Sequence, residues 1–340
     1  MANLSFQNAI QRKTQNVPPI WFMRQAGRYH KHYQNLRKDH SFDDLCKIPE
    51  LASQVALGPV QDFDFDVAIL FSDILYPLQA LGMGLEYTDH GPRLGFQLNT
   101  ENIGSLKEGL DVVPHMGFQK LAMQQTRAVL PDDKSLIGFI GGPWTLFVYA
   151  VEGSHAGSLT QSKRMISLFP EFLKKMLPLL KENIRLQLAG GAEVVMIFDT
   201  AAGEVSPLDF KKWLQPVLKE LCAVAPGKIG YYSKGTQAAF FDQDFVKIPW
   251  AGMGFDHRWN LTSCFGLGHT GFVQGNFDQS LLFLEKPQFQ EELGIYIENM
   301  KSRTTAERAG WVSGLGHGVL PKTPEENVRL FVDTIRKAFA

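Results

Sequence analysis

Short, continuous apolar runs recur along the chain, each followed by a stretch whose apolar residues fall at helical spacing. The runs are "PIWFM" (19–23), "DVAILF" (66–71), "LIGFI" (136–140), "EVVMIF" (193–198), "KIGYYS" (228–233), "WAGMGF" (250–255), "FVQGN" (272–276) and "WVSGL" (311–315). Runs without polar alternation fit strands buried on both faces of a parallel sheet. Between them, "PEFLKKMLPLLKENIRLQLAGG" reads as a helix that stops at a glycine pair, and Pro178 inside it predicts a kink. In "TPEENVRLFVDTIRKAF", Thr323 is the expected N-cap, Pro324 the first helical residue and Glu326 the partner in a capping box. Eight strands alternating with helices predict a (β/α)8 TIM barrel, one domain over residues 1–340, with a doubly wound sheet as the competing architecture. The units between 228 and 276 are short for full strand-plus-helix crossovers.

Composition adds boundaries. The chain has 340 residues, 44% of them apolar and 20% charged, an ordinary globular balance. The net charge of −1 gives no global field for nucleic acid or anionic lipid, so an anion site has to be a local cluster. The three cysteines, Cys46, Cys222 and Cys264, lie far apart and form no CxxC, which fits a reducing cytoplasm. The polar start lacks the core of a signal peptide. The longest apolar region is interrupted by Asp73 and Gln79, so no membrane span is expected.

Barrel chemistry sits at the C-terminal ends of strands. The residues just past the eight runs are Arg24, Asp73, Gly141–Gly142, Asp199–Thr200, Lys234, Asp256–His257, Asn276–Phe277 and His317, nearly all polar, charged or glycine. Arg24 and Arg28 in "WFMRQAGRY" are four positions apart. Read as a helix start, that spacing would stack two guanidiniums on one face, where they repel each other and the helix dipole. Such a pair is either surface charge, half of an ion pair with a carboxylate such as Asp73, or a clamp for carboxylate or phosphate. Ala26 and Gly27 between them would let an anion reach backbone N–H groups. Asp73 in "FSDILYP" suits a helix N-cap or a carboxylate at the barrel mouth. Tyr149 suits either core or pocket, and Thr200 either a turn cap or a ligand contact. His317, enclosed by glycines, is sterically open, at a place where barrels often bind phosphate. His155, His257 and Lys234 read as surface or rim. Metal ligation looks weak: Cys264 and His269 have no second cysteine at metal spacing, and HxC, HExxH, P-loop and GxSxG patterns are absent.

Taken together, "PPIWFMRQAGRY" and "GFIGGPWTLFVYAVEG" resemble the two signature stretches of the uroporphyrinogen decarboxylase family. "FSDIL", "IFDT", "VQGNFD" and "GLGHGVLPKTPEENV" follow in the family's order. The resemblance implies a single-domain barrel, a homodimer in the cytoplasm, and removal of CO2 from the four acetate arms of uroporphyrinogen III to give coproporphyrinogen III in haem biosynthesis. It also implies no metal or organic cofactor; the charge and the interrupted apolar region already predict no nucleic-acid or membrane partner. By the same resemblance, Arg24 and Arg28 hold substrate carboxylates, with Gln25, Ala26 and Gly27 in the same site. Asp73 receives the pyrrole N–H groups, and Tyr149, Thr200 and His317 contact the substrate rim. Asp73, Tyr149 and His317 are the expected catalytic set, with the proton donor left open between water, Tyr149 and His317. The chain departs from the family pattern at Ile140, at Gly314 where Asn is usual, and after Thr200, where an aromatic is frequent. The alternatives are a zinc-dependent corrinoid or thiol methyltransferase of the same superfamily, a non-catalytic tetrapyrrole-binding protein, and a phosphate-ester barrel enzyme.

Overall fold

The computed structural model describes residues 2–88, 91–155 and 157–340. Its strands are β1 (Val67–Ile69), β2 (Glu86–Thr88), β3 (Gly91–Arg93), β4 (Ser135–Gly141), β5 (Val194–Asp199), β6 (Ile229–Ser233), β7 (Gly252–Gly254), β8 (Phe272–Phe277) and β9 (Trp311–Leu315). Seven of them form one parallel sheet in the order β1-β4-β5-β6-β7-β8-β9, while β2 and β3 make a separate antiparallel hairpin. Every residue of β1, β4, β5, β6, β7, β8 and β9 is buried, as the unalternating apolar runs require.

The expected first strand, 19–23, occupies the eighth position without becoming a regular strand. Ile20 forms one parallel bridge with Ser313 of β9, and the Asp66 N–H donates to Ile20 O at 2.9 Å. Side chains replace the rest of the ladder. The Asp66 carboxylate accepts the Ile20 N–H at 2.8 Å. The Gln25 amide accepts from Phe22 N at 3.2 Å and donates to Val67 O of β1 at 3.0 Å. This segment therefore joins β9 to β1 and closes the barrel.

Helices return the chain between strands: Pro49–Phe63 before β1, Gly117–Val129 before β4, Phe169–Ala189 before β5, Gln215–Cys222 before β6, Lys286–Lys301 before β9 and Glu325–Phe339 after it. The short middle units are resolved by economy. The turns Gln243–Val246 and Leu261–Cys264, four residues each, stand in for full helices, as the short spacing requires. One local expectation is corrected and one holds at its end. Helix Phe169–Ala189 contains Pro178 and stops at Gly190, as the glycine pair predicts. The Thr323 capping box does not form: the helix starts at Glu325, and the Thr323 hydroxyl donates to Leu320 O at 2.8 Å. No helix among the described residues is long and apolar enough to cross a membrane.

Candidate active site

The arginine segment is a pair of tight turns, not a helix, so Arg24 and Arg28 do not stack. Arg24 has φ 58°, in the left-handed region. Buried Gln25 pins that turn: its amide is spent on Phe22 and Val67, its N–H donates to Phe22 O at 3.1 Å, and its carbonyl accepts the Tyr29 hydroxyl at 2.7 Å. Gln25 thus shapes the loop, with both ends of its amide engaged by backbone groups. Arg24 runs across Gly318, where a Cβ would come within 2.6 Å of its Cδ. Arg28 is exposed, and its charge reaches Tyr33 on helix Lys31–Asp39 instead of the centre. Among the described residues neither arginine has an ion-pair partner, and the N–H groups of Ala26, Gly27 and Arg28 have no protein acceptor. Consecutive free N–H groups beside cations form a concavity for an anion.

Asp73 stands past β1, partly exposed, with Oδ1 accepting the Leu75 N–H at 2.8 Å. It therefore caps a turn while facing the mouth. Burial pushes its pKa above the ordinary carboxylate value, against the Leu75 N–H, Arg24 and the Tyr87 side chain, which pull it down. Tyr87 comes from the β2–β3 hairpin, with its ring 4.4 Å from that of Phe42. The alternation of that hairpin is too brief to be read in the sequence.

Tyr149 is half-buried on helix Pro143–Glu152. Burial and then the Asp73 charge push its phenol up to about 12, with Arg24 opposing. At neutral pH it is a protonated hydrogen-bond donor whose charge environment is shared with Asp73 and Arg24. Asp199, expected at the mouth with Thr200, instead turns fully inward. It accepts the Thr145 hydroxyl at 2.6 Å and the Thr145 N–H at 3.3 Å, in the first turn of the helix that carries Tyr149. Gly142 makes room for it, since a Cβ there would lie 2.5 Å from the Asp199 carboxyl carbon. Burial pushes Asp199 up to about 6. Thr145 Oγ1 also accepts the Ala201 N–H at 3.0 Å. That stitch leaves Thr200 half-buried at the strand end, with no hydrogen bond of its hydroxyl to protein among the described residues. A turn-cap role is thereby removed.

His317 is 8% exposed and stacks on Tyr232 at 6.0 Å. The Tyr232 hydroxyl lies 2.8 Å from Gly316 O and 2.9 Å from His317 Nδ1. A phenol has one hydrogen, so both contacts are hydrogen bonds only when Nδ1 carries a proton; Nε2 is then an acceptor. Burial first, then Arg24 and Lys234, pull the ring down to about 3. His317 is neutral at physiological pH in the free protein. Tyr232 was not singled out in the sequence, because its role comes from β6 lying near the last barrel loop.

Other mouth groups are satisfied internally. Buried Asp256 accepts the Gly235 N–H at 2.7 Å and pairs with Arg258 at 2.7 Å. Buried Cys264 donates to Asn260 O at 3.4 Å, and His269 approaches Arg12 at 3.4 Å, so this couple does not converge. No group of three or more His, Cys, Asp or Glu side chains suited to a metal occurs among the described residues. At Gly314 a Cβ would come 2.6 Å from both Trp21 O and the Gln274 amide, which accounts for glycine there.

The family model described as "Uroporphyrinogen decarboxylase (URO-D)" matches residues 1–338. The chain belongs to the uroporphyrinogen decarboxylase family. It is 31% identical to the uroporphyrinogen decarboxylase of Solibacter usitatus, over 98% of this chain and 96% of that one. It is 34% identical to that of Nostoc punctiforme, over 94% and 92%. Among solved structures, a methyltransferase from Methanosarcina mazei superposes with a TM-score of 0.77 at 16% identity, covering 99% of this chain and 98% of that one. A putative vitamin-B12-independent methionine synthase from Listeria monocytogenes gives 0.54 at 11%, covering 99% and 98%. These last two likenesses concern the fold alone.

Proposed function

We infer that this chain decarboxylates the four acetate arms of uroporphyrinogen III to methyl groups, giving coproporphyrinogen III in haem biosynthesis. It does so without a cofactor, as a cytoplasmic homodimer folded as one unit over residues 1–340. The observation that carries this reading is Asp73: a carboxylate held at the end of β1 by the Leu75 N–H, beside an arginine that no protein acid neutralises. A porphyrinogen presents four pyrrole N–H donors at its centre and eight carboxylates at its edge. Asp73 accepts from the centre. Arg24, Arg28 and the free N–H groups of Ala26–Arg28 hold the edge.

Each step needs an electron sink for the pair left by CO2. A proton added to the ring carbon next to the one bearing the acetate turns the pyrrole into an iminium cation. The electrons of the breaking C–CO2 bond flow into that cation and form an exocyclic methylene. A proton on the methylene and loss of the ring proton leave a methyl group and the aromatic pyrrole. One proton is consumed and one CO2 released per arm. The Asp73 carboxylate stabilises the cation more than the neutral ground state, which is the differential that lowers the barrier. Tyr149 donates a hydrogen bond at the rim, and Thr200 offers its free hydroxyl. Neutral His317 accepts at Nε2, which makes it a poor source of the ring proton in the free protein and favours water or Tyr149.

The methyltransferase alternative needs converging thiolate and imidazole ligands, and Cys46, Cys222 and Cys264 are all buried apart. The test is anaerobic incubation with uroporphyrinogen III, oxidation of the product and a mass count of carboxyl groups. Loss of four CO2 supports the reading; an unchanged octacarboxylate overturns it.

A further inference from the structure

Lys234 follows the last residue of β6 and was read in the sequence only as a rim residue. Counting segment 19–23 as the first barrel position and continuing through β1, β4 and β5, β6 is the fifth of eight. Lys234 and Arg24 therefore leave the barrel from opposite sides of one opening. Three neighbouring loops build the lysine's backbone. Its N–H donates to Asp199 O at 3.4 Å, its carbonyl accepts the Gly203 N–H at 3.1 Å, and the next residue, Gly235, donates to Asp256 Oδ2 at 2.7 Å. The contact with Gly203 is close enough that a Cβ there would lie 2.5 Å from Lys234 O. Yet the ammonium so placed has no carboxylate partner among the described residues; the nearby Asp256 is taken by Arg258.

A half-buried cation without an anion loses hydration and gains nothing in return. Its charge acts on His317 and on His155, the same two rings that Arg24 acts on. His155 packs against Tyr149 at 5.1 Å. Both cations thus act on the same two rings from opposite strand ends, and Arg24 also acts on Asp73 and Tyr149.

We propose that Lys234 is a further substrate-binding residue, whose ammonium grips a carboxylate arm of the macrocycle on the rim opposite Arg24. This assignment rests on the porphyrinogen reading and deepens it. A single guanidinium cluster on one side would let a wide, flat-edged polyanion pivot. A second cation across the opening fixes the rotation of the macrocycle about Asp73.

The test uses K234M, which keeps the apolar stem, and K234R, which keeps the charge. With uroporphyrinogen III under anaerobic conditions, K234M raises KM about tenfold or more and leaves kcat within about threefold, and K234R restores KM to within about threefold of wild type. Without substrate, an NMR titration of the His155 ring reads the charge directly: its pKa rises in K234M and stays in K234R. An active wild type with KM in K234M within twofold, or an unmoved His155 titration, overturns the assignment alone. A wild-type chain that releases no CO2 overturns the reading beneath it, and the assignment with it.

Discussion

Asp73→Asn isolates the charge on which the chemistry depends. Asparagine keeps a carbonyl oxygen where Asp73 Oδ1 accepts the Leu75 N–H at 2.8 Å, so the turn after β1 stays capped. It removes one negative charge from a site where Arg24 already opposes burial. Two unit charges about 4 Å apart at an effective dielectric of about 20 interact by about 4 kcal/mol. The pyrrolic cation exists only near the transition state, so that loss falls on the barrier, and about 4 kcal/mol is roughly a thousandfold in rate. The assay is single-turnover loss of the first CO2 from uroporphyrinogen III, with the enzyme in excess under anaerobic conditions. Urea melts run alongside show that D73N folds as the wild type does. Because the charge matters more in the transition state than in the ground state, kcat falls with little change in KM. A D73N rate within about tenfold of wild type would refute the electrostatic role. A rate loss explained wholly by weaker binding would leave Asp73 as an anchor only.

Three further outcomes follow from the same contacts. Gln25→Ala leaves the Phe22 N–H and the Val67 carbonyl without partners in the core, which costs about 1–3 kcal/mol each in urea melts and loosens the Arg24 turn, so kcat/KM falls as well; unchanged stability would contradict the side-chain closure of the barrel. Asp199 is raised in the fold, to about 6 from an ordinary 3.8, so the native state holds its proton more tightly than the unfolded chain. Its contribution is fully present below pH about 4 and is lost as pH rises through about 6, whereas Asp199→Asn removes that slope; the difference in unfolding free energy between the two proteins across this window measures it, and parallel curves would contradict the burial argument. His317 is depressed to about 3, so its ring signals in the free protein show no inflection between pH 5 and 8 in an NMR titration, and an inflection near 6.5 would place the ring in water instead.

How far the sequence reached depended on where each residue's partners lie. Buried parallel strands announce themselves locally, because both faces are apolar, and β4, β5, β6, β8 and β9 fall within a residue or so of their apolar runs. The run 19–23 is equally apolar, but on the β1 side two of its N–H groups go to the side chains of Asp66 and Gln25, and no periodicity reports a side chain standing in for a strand. Gln25 enters the site only through the family resemblance, since its structural partner Val67 lies far off in sequence and leaves no local signal. Asp199 and Thr200 are adjacent in the chain, but Asp199 is buried against the first turn of the Tyr149 helix while Thr200 is half-buried with no protein partner for its hydroxyl among the described residues. Asp73 and His317 stand out as candidates in the sequence because strand-end position and flanking glycine are local signals. Lys234 does not, because its meaning is the missing partner and the arginine across the barrel, both properties of three-dimensional placement.

The central claim is tested most directly by the structure of the protein with coproporphyrinogen III, prepared and kept under anaerobic conditions. The account predicts the macrocycle seated at the C-terminal mouth, its pyrrole N–H groups converging on the Asp73 carboxylate and its remaining carboxylates directed outward toward Arg24 and Lys234. A product bound with its N–H groups turned away from residue 73, or seated elsewhere on the barrel, would contradict it.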